Sequence, residues 1–257
     1  MADLAGRHAL VTGAGKGIGA AIAAALAVDG ARITLVGRHR ETLDATAASL
    51  PASAKAQTIM CDISDSAAVA EAMQRARDGL GPIEVLINNA GQAQSAPLSR
   101  TDDALWAQML GVNLSGTFFC TRAVLPEMIA ARWGRVINIA STAAQRGYPY
   151  VSAYCAAKHG VLGLTRALAL EVANKGITVN AVCPGYTDTD IVADAVANIV
   201  STTGRSVDAA RAELVKGNPQ GKLVTPEQVA NAVLWLCRAG SDAITGQAIS
   251  VSGGEVM

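Results

Sequence analysis

The chain has few charged and few aromatic residues, and its charges cancel. Charged residues make up 16% of the 257 residues, aromatic residues 4%, and the formal net charge is +0. A neutral chain lacks the basic surface that binds nucleic acid or an anionic membrane. No apolar run approaches the roughly 20 residues that span a bilayer. With 51% hydrophobic residues, the chain is instead expected to bury one large core, as a single domain over residues 1–257.

Cysteine and histidine patterns are equally sparse. The five cysteines are an odd number and form no C-x-x-C pair, and the three histidines have no metal-ligand spacing. This excludes a disulfide framework and a zinc site as expectations. The first seven residues contain no signal-peptide hydrophobic region, so we expect a cytoplasmic protein.

Strand-like apolar runs alternate with helix-like segments along the chain. The predicted strands occupy residues 8–12, 32–36, 57–61, 83–87, 135–140, 177–182 and 247–251. The predicted helices occupy residues 18–29, 40–49, 65–79, 102–131, 152–174 and 226–238. The strands are continuous hydrophobic runs, so helices must cover both faces of the sheet. The pattern predicts an α/β fold with a doubly wound parallel sheet of about seven strands, of Rossmann type.

A glycine-rich turn follows the first predicted strand. Residues 12–19, TGAGKGIG, fit T-G-x-x-x-G-x-G and lead into a helix rich in Ala, Leu and Ile. Strand, glycine turn and helix bring the main chain close to a pyrophosphate and point a helix N-terminus at it. We expect Gly13 to form the tight turn, Gly17 to allow the close approach and Gly19 to permit helix–strand contact. No Gly-Lys-Ser/Thr ends the turn, which excludes the phosphate loop of nucleoside triphosphatases.

Residues 186–222 interrupt the alternation of strands and helices. They contain a helical pattern at 189–200 and a charged stretch at 205–217. A connection of this length is usually functional, and it leaves a strand at the sheet edge where such folds bind ligands. We predict a substrate lid, with Gly204, Gly217 and Gly221 allowing backbone movement. A plain helical hairpin is the alternative.

Four polar side chains are candidates for chemistry. Tyr154 and Lys158 share one face of a predicted helix, where an ammonium would lower the tyrosine pKa from ~10 and suit it to acid–base catalysis. Ser141 ends a predicted strand, where a hydroxyl can hydrogen-bond a substrate carbonyl. Asn113 lies within a predicted helix among apolar neighbours, a mildly unfavourable place for asparagine. Each residue taken singly also has an ordinary explanation. Tyr154 and Lys158 could be a surface pair, Ser141 a capping serine, and Asn113 a solvent-facing asparagine.

Together these motifs resemble the short-chain dehydrogenase/reductase family. The matching features, in that family's order and spacing, are the turn at 12–19, Asn88-Asn89-Ala90-Gly91, Asn113, Ser141, Tyr154-x-x-x-Lys158 and Pro184-Gly185. The resemblance covers essentially the whole chain and is strongest to the ketoacyl and polyketide ketoreductase branch. It implies an oxidoreductase that interconverts a ketone and a secondary alcohol by hydride transfer.

The resemblance also implies a role for each candidate catalytic side chain. Tyr154 would be the acid/base, and Lys158 would lower its pKa and hold the nicotinamide ribose. Ser141 would orient the substrate carbonyl. Asn113 would hold a water in the proton relay. No metal is implied.

The remaining implied residues contact the cofactor. They are Gly13, Lys16, Gly17, Ile18, Gly19, Arg38, Asp62, Ile63, Asn89, Ala90, Gly91, Pro184, Gly185, Thr187 and Thr189. Asp62 with Ile63 would meet the adenine ring, and residues 89–91 would support the cofactor and the central sheet. Residues 184–189 would bind the nicotinamide carboxamide.

Charges at the second strand indicate which cofactor is used. NAD enzymes usually place Asp or Glu at the end of this strand to bind the adenosine ribose. Here that position holds Gly37, followed by Arg38, and Lys16 lies in the glycine turn. Two cations and no carboxylate suit a 2′-phosphate, so NADP(H) is favoured. NAD(H) is the alternative if both cations are solvated.

Three readings of function stay open. The first is an NADP(H)-dependent ketoreductase, with a 3-oxoacyl or polyketide-like substrate. The second is an NAD-dependent 3-hydroxyacyl or other secondary-alcohol dehydrogenase. The third is a non-catalytic nucleotide-sensing protein, which the intact tyrosine and lysine argue against. The expected substrate contacts are residues 92–95, 145–148 and 186–222, and the family resemblance implies a homo-oligomer, either a tetramer or a dimer.

Overall fold

The computed structural model describes residues 3–257, which contain one parallel seven-stranded sheet. The strands are β1 (His8–Thr12), β2 (Arg32–Gly37), β3 (Ala56–Met60), β4 (Val85–Asn88), β5 (Gly134–Ile139), β6 (Ile177–Pro184) and β7 (Ala248–Val251). Their order across the sheet is β3-β2-β1-β4-β5-β6-β7, and every neighbouring pair is parallel. The doubly wound α/β fold predicted from the sequence is confirmed. The order reverses between β1 and β4, which is where such folds bind ligands.

Nine α-helices surround the sheet in this part of the chain. They are α1 (Gly17–Val28), α2 (Arg40–Ser49), α3 (Ser66–Leu80), α4 (Asp103–Leu110), α5 (Gly116–Ala131), α6 (Ser152–Val172), α7 (Asp190–Thr203), α8 (Val207–Val215) and α9 (Pro226–Cys237). Local sequence explains several helix starts. Asp65 accepts hydrogen bonds from the first turn of α3. Thr225 and Gln228 form a capping box around the start of α9, whose first residue is Pro226.

One predicted helix is divided in the structure. The segment 102–131 forms α4 and α5, joined by a π-helical turn at Gly111–Ser115. Asn113 lies in this turn and is fully buried. Its Nδ2 donates to the main-chain oxygen of Met109 at 3.0 Å and to that of Gln92 at 2.9 Å. The wider turn therefore directs a polar side chain inward, as π turns at functional sites often do.

The core forms two layers, one on each face of the sheet. Alternate residues of β1 show the division, because Val11 belongs to the layer under α1 and α9, whereas Leu10 belongs to the layer under α3, α5 and α6. Strands buried on both faces favour apolar residues on both faces, which explains the largely hydrophobic runs. All five cysteines are buried and unpaired in residues 3–257.

The segment 186–222 forms two helices beyond the carboxyl end of β6. Helices α7 and α8 pack through a small cluster of Val192, Val196 and Ala210, with Tyr186 and Leu223 at its margin. This cluster is separate from the two large core layers. In residues 3–257, no helix is both long and apolar enough to cross a membrane.

Candidate active site

The ends of β1 and β4 are fastened together at the reversal point of the sheet. The Thr12 hydroxyl accepts hydrogen bonds from the main-chain N–H groups of Asn89 and Ala90, each at 3.0 Å. The Asn89 side chain donates to the main-chain oxygens of Thr12 at 2.9 Å and Gly13 at 3.1 Å. Asn89 and Ala90 therefore hold the glycine turn in place. Thr12 was not among the predicted contacts, although it is the first letter of the glycine motif.

The glycine turn is shaped for close approach of a ligand. Gly13 and Gly17 have positive φ of 64° and 55°, a region that favours glycine. A Cβ at Gly19 would lie 2.2 Å from the Gly13 main-chain oxygen. The N-cap of α1, Lys16, supplies no side-chain hydrogen bond to the first turn, which leaves the N–H groups around Gly17 and Ile18 to an anion. This main-chain cradle fits the pyrophosphate of a dinucleotide.

Asn113 holds the loop after β4. Besides the two bonds it donates, its Oδ1 accepts from the Gln92 N–H at 3.2 Å. A Cβ at Gly91 would lie 2.8 Å from this Oδ1 and 3.5 Å from the Lys158 Nζ. The loop is thus clamped against the two polar groups. Both the oxygen and the nitrogen of the Asn113 amide bind main-chain groups of the protein, so in this structure the side chain holds the loop after β4 in position.

Ser141, Tyr154 and Lys158 meet at the carboxyl end of β5. Ser141 follows this strand, and its Oγ accepts from the Ala143 N–H at 3.1 Å. Tyr154 and Lys158 lie one turn apart on α6, with the lysine Nζ 5.6 Å from the tyrosine ring centre. Lys158 is 4% exposed and donates to the Ile139 main-chain oxygen at 2.8 Å. The structure therefore brings together the three side chains that the sequence separates.

Burial dominates the protonation of this group. It raises the pKa of Tyr154 to about 12, and the neighbouring Ser141 hydroxyl opposes this effect by hydrogen bonding. Burial also lowers the pKa of Lys158 to about 8. The expected lowering of the Tyr154 pKa is therefore not found, because burial outweighs the Ser141 hydrogen bond, while the Lys158 ammonium is bound to the Ile139 carbonyl. At neutral pH the phenol is protonated and the lysine keeps its charge.

The two cations expected at the adenosine ribose differ in their surroundings. Lys16 Nζ lies 2.5 Å from Asp190 Oδ2, and both side chains are about two-thirds exposed. Arg38 is exposed and joins no carboxylate within residues 3–257. Hydrogen bonds from Ser64 lower the pKa of Asp62, and the charge of Arg38 adds to this effect. Arg38 is thus the cation that remains available to a phosphate.

The two residues expected at the adenine ring differ in exposure. Asp62 is exposed after β3, and its Oδ1 accepts from the N–H and hydroxyl of Ser64 at 2.9 and 2.7 Å. Ile63 is 5% exposed and belongs to a core layer. A Cβ at Gly116 would lie 2.5 Å from its Cδ1. Only the main chain of Ile63 is left to meet a ligand, because its side chain packs against α5.

Residues after β6 face the glycine turn. The Thr187 hydroxyl donates to the Gly185 main-chain oxygen at 3.0 Å, and that of Thr189 donates to the Thr187 oxygen at 3.2 Å. A Cβ at Gly17 would lie 3.1 Å from the Thr189 Cγ2. The turn that begins at Pro184 therefore runs from β6 to the start of α1, along the path expected for a dinucleotide.

Where the sequence predicts the substrate, the structure adds one residue that the sequence did not indicate. Tyr148 and Tyr186 meet edge to face with ring centres 6.4 Å apart, and Asn198 of α7 donates to Ser95 at 3.0 Å. These contacts join all three predicted segments. The additional residue is Glu255, which accepts from the Tyr148 hydroxyl at 2.6 Å. Its signal in the sequence was the Gly-Gly pair immediately before it.

Comparison with known proteins adds independent information. The family model of the short chain dehydrogenases matches residues 7–199. D-beta-hydroxybutyrate dehydrogenase of Rhizobium meliloti is 38% identical over 254 residues, covering 96% of this chain and 98% of that protein. The 3-oxoacyl-(acyl-carrier-protein) reductase of Escherichia coli K12 is 36% identical, covering 98% of both. A crystal structure of actinorhodin polyketide ketoreductase with NADPH has a TM-score of 0.93 at 36% identity, covering 97% of each chain.

Proposed function

This chain belongs to the short-chain dehydrogenase family of oxidoreductases that act on CH–OH groups, and from that premise we propose that it is an NADP(H)-dependent ketoreductase. It would interconvert a ketone and a secondary alcohol, with a 3-oxoacyl or polyketide-like compound as the substrate. The observation that carries this proposal is the convergence of Ser141, Tyr154 and Lys158 beside the glycine turn.

The protein's own groups supply the proton and the orientation. When bound, the nicotinamide supplies the hydride to the carbonyl carbon or receives it from the alcohol. The Tyr154 phenol, protonated at neutral pH because burial raises its pKa to about 12, gives its proton to the ketone oxygen in the reductive direction. The Ser141 hydroxyl hydrogen-bonds the same oxygen and holds it at the phenol. The buried Lys158 ammonium faces the tyrosine ring and would hold the nicotinamide ribose.

The cofactor would bind along the main-chain cradle of the glycine turn. The pyrophosphate would lie on the N–H groups of residues 17–19, supported by the Asn89–Gly91 loop. Asp62 would meet the adenine, while Pro184, Gly185, Thr187 and Thr189 would meet the carboxamide. Arg38, exposed and without a carboxylate partner among residues 3–257, supports a preference for the 2′-phosphate of NADP(H).

A specific contact favours the second candidate, an NAD-dependent secondary-alcohol dehydrogenase. Lys16 is paired with Asp190, so one of the two cations that indicated NADP(H) is already neutralised. One of the relatives described above points the same way, since it is a D-beta-hydroxybutyrate dehydrogenase. NADP(H) remains the stronger proposal because Arg38 alone can bind a phosphate through two parallel hydrogen bonds.

The deciding experiment measures oxidation of NADPH and NADH at 340 nm with a panel of 3-oxoacyl thioesters, cyclic ketones and aryl ketones. We expect turnover with a higher kcat/KM for NADPH. Turnover only with NADH would select the second candidate. Cofactor binding without turnover of any ketone or alcohol would select the nucleotide-sensing protein.

The remaining proposals concern the whole molecule. Residues 186–222 would act as a lid of a single-domain enzyme, since α7 and the turn after β6 bring them to the predicted substrate segments through Asn198 and Tyr186. We further propose a cytoplasmic location and a homo-oligomer, a tetramer or a dimer; the assembly is supported by apolar side chains left exposed on α4, α5 and α6. These are Trp106 (43%), Phe118 (40%) and Leu170 (83%). Size-exclusion chromatography with light scattering would test the assembly.

A further inference from the structure

The C-terminal tail, residues 252–257, folds back across the substrate side. Gly253 and Gly254 have φ of 63° and 93°, which reverse the chain, and the Glu255 N–H donates to the Ser252 oxygen at 3.2 Å. A Cβ at Gly253 would lie 2.1 Å from the Asn218 Oδ1. The tail is therefore packed tightly against the end of the 186–222 segment.

The tail carries a carboxylate into the interior. The Glu255 side chain is 3% exposed. Its Oε1 accepts from the Tyr148 hydroxyl at 2.6 Å, and that hydroxyl also hydrogen-bonds Thr142 at 2.8 Å. Arg146 places one guanidinium nitrogen 3.8 Å from Oε1 and another 3.4 Å from the Glu255 main-chain oxygen. A buried carboxylate is costly unless it is paired and hydrogen-bonded, and this one is both.

Two glycines leave the space that this carboxylate occupies. A Cβ at Gly185 would lie 3.0 Å from Oε2, and a Cβ at Gly217 would lie 3.3 Å from Oε1. Gly185 follows β6 at the site, and Gly217 lies at the base of the predicted lid. Gly217 therefore accommodates Glu255, rather than serving only as the free hinge expected from the sequence.

We propose that Glu255 is a positioning residue for the substrate. It connects three elements of the site: the loop between Ser141 and Tyr154, the turn after β6, and the base of the 186–222 segment. Through Tyr148 it fixes the edge-to-face contact with Tyr186, so that two of the four tyrosines of the chain form a wall on the substrate side. The proposal rests on the ketoreductase function proposed above.

The geometry predicts which substrates depend on this wall. Large aromatic faces pack against tyrosine rings over a wide area, whereas a small ketone contacts them little. Arg146 also stacks over Tyr148, with its guanidinium carbon 4.6 Å from the ring centre. Loss of the Glu255 carboxylate should therefore weaken binding of a bulky ketone more than binding of a small one.

The test compares Glu255→Gln, Glu255→Ala and Tyr148→Phe with wild type, using 1-tetralone and ethyl acetoacetate as ketones. The matched control is Glu171→Gln, which removes one carboxylate from the exposed face of α6. For Glu255→Ala we expect the KM for 1-tetralone to rise about tenfold, with a smaller change for ethyl acetoacetate. We expect kcat, the Kd for the cofactor and all Glu171→Gln parameters to stay within about threefold.

Two further measurements separate positioning from general stability. The effects of Glu255→Gln and Tyr148→Phe should be non-additive in the double variant, since both act on the same hydrogen bond: Tyr148→Phe removes its donor, and Glu255→Gln removes the charge of its acceptor. Amide hydrogen exchange in Glu255→Gln should rise in residues 142–151 and 217–222 and stay unchanged in β1. If Glu255→Ala does not fold, Glu255→Gln and Tyr148→Phe decide the question.

The proposal is overturned if wild type reduces both ketones and the Glu255 variants raise neither KM by more than twofold. It is also overturned if both KM values and kcat change in parallel with the melting temperature, because that describes a structural tether only. Absence of turnover by wild type with both cofactors would instead reject the ketoreductase function, while the exchange experiment would still report on the tether.

Discussion

Replacing Arg38 with leucine should remove the preference for NADPH and leave the use of NADH unchanged. Arg38 is exposed after β2 with no carboxylate partner in residues 3–257, so its fork of donors is available to a 2′-phosphate. Hydrogen bonds to charged groups contribute about 1.5–3 kcal/mol. Since each 1.36 kcal/mol is tenfold in rate, kcat/KM for NADPH should fall roughly 10- to 150-fold.

The ion pair between Lys16 and Asp190 allows the contributions of the two cations to be compared. An exposed ion pair is worth only about 0.2–1 kcal/mol, and the Lys16–Asp190 pair is about two-thirds exposed on both sides. Asp190→Asn should therefore release Lys16 and lower the KM for NADPH by no more than about fivefold. Lys16→Ala should cost less NADPH activity than Arg38→Leu.

The assay is initial-rate kinetics with both cofactors at a saturating ketone concentration. Arg40→Leu is the matched control, because it removes an exposed cation two positions away that already lies near Asp44. An equal loss in that variant would mean a general effect of charge. A wild-type enzyme with higher kcat/KM for NADH, or an unchanged Arg38→Leu, would refute the assignment of this site to a 2′-phosphate. Adding Gly37→Asp is a second step, since its Cβ would lie 3.2 Å from the Leu43 Cδ2.

Three further predictions concern the acid–base pair and the lid. Tyr154→Phe should reduce turnover by roughly 10²–10⁴-fold with an unchanged cofactor Kd by fluorescence titration; near-normal turnover would remove Tyr154 from the mechanism. For Lys158, the unfolded chain keeps its proton to a pKa of 10.5 and the folded protein releases it near 8. Stability relative to Lys158→Met should therefore rise with pH between these values, by up to about 3 kcal/mol in denaturant titrations; a flat difference would contradict the buried charge. Amide hydrogen exchange in 186–222 should fall when NADPH and a substrate analogue bind, and equal protection in both states would mean a rigid wall.

Local sequence was sufficient for the fold. Strands buried on both faces favour apolar side chains at most positions, so β5 and β6 stand out as largely hydrophobic runs without knowledge of their neighbours, although each also carries a buried asparagine, Asn138 and Asn180. The sequence alone also predicted the glycine turn. Positive φ at Gly13 and the lack of room for a Cβ at Gly19 are requirements on the residue type itself, and spacing along the chain reports them directly.

The one large error in the predicted elements was the single helix over 102–131. The π turn depends on the Asn113 side chain reaching the main chain of Gln92, a residue on the loop after β4. Periodicity within the helix carries no information about that loop. Helix propensity only marked Asn113 as unfavourable, without indicating why it was there.

What the sequence determined by itself was the fold class and the glycine turn, and it also pointed to the proposed acid–base group, because each depends on residue types at short spacing. The tertiary structure alone decided the rest. Lys16 meets Asp190 across 174 positions of sequence, and Glu255 reaches Tyr148 across 107. The burial that raises the pKa of Tyr154 in this structure could not be anticipated from the sequence, since desolvation depends on everything packed around the phenol, and only the folded chain assembles those surroundings.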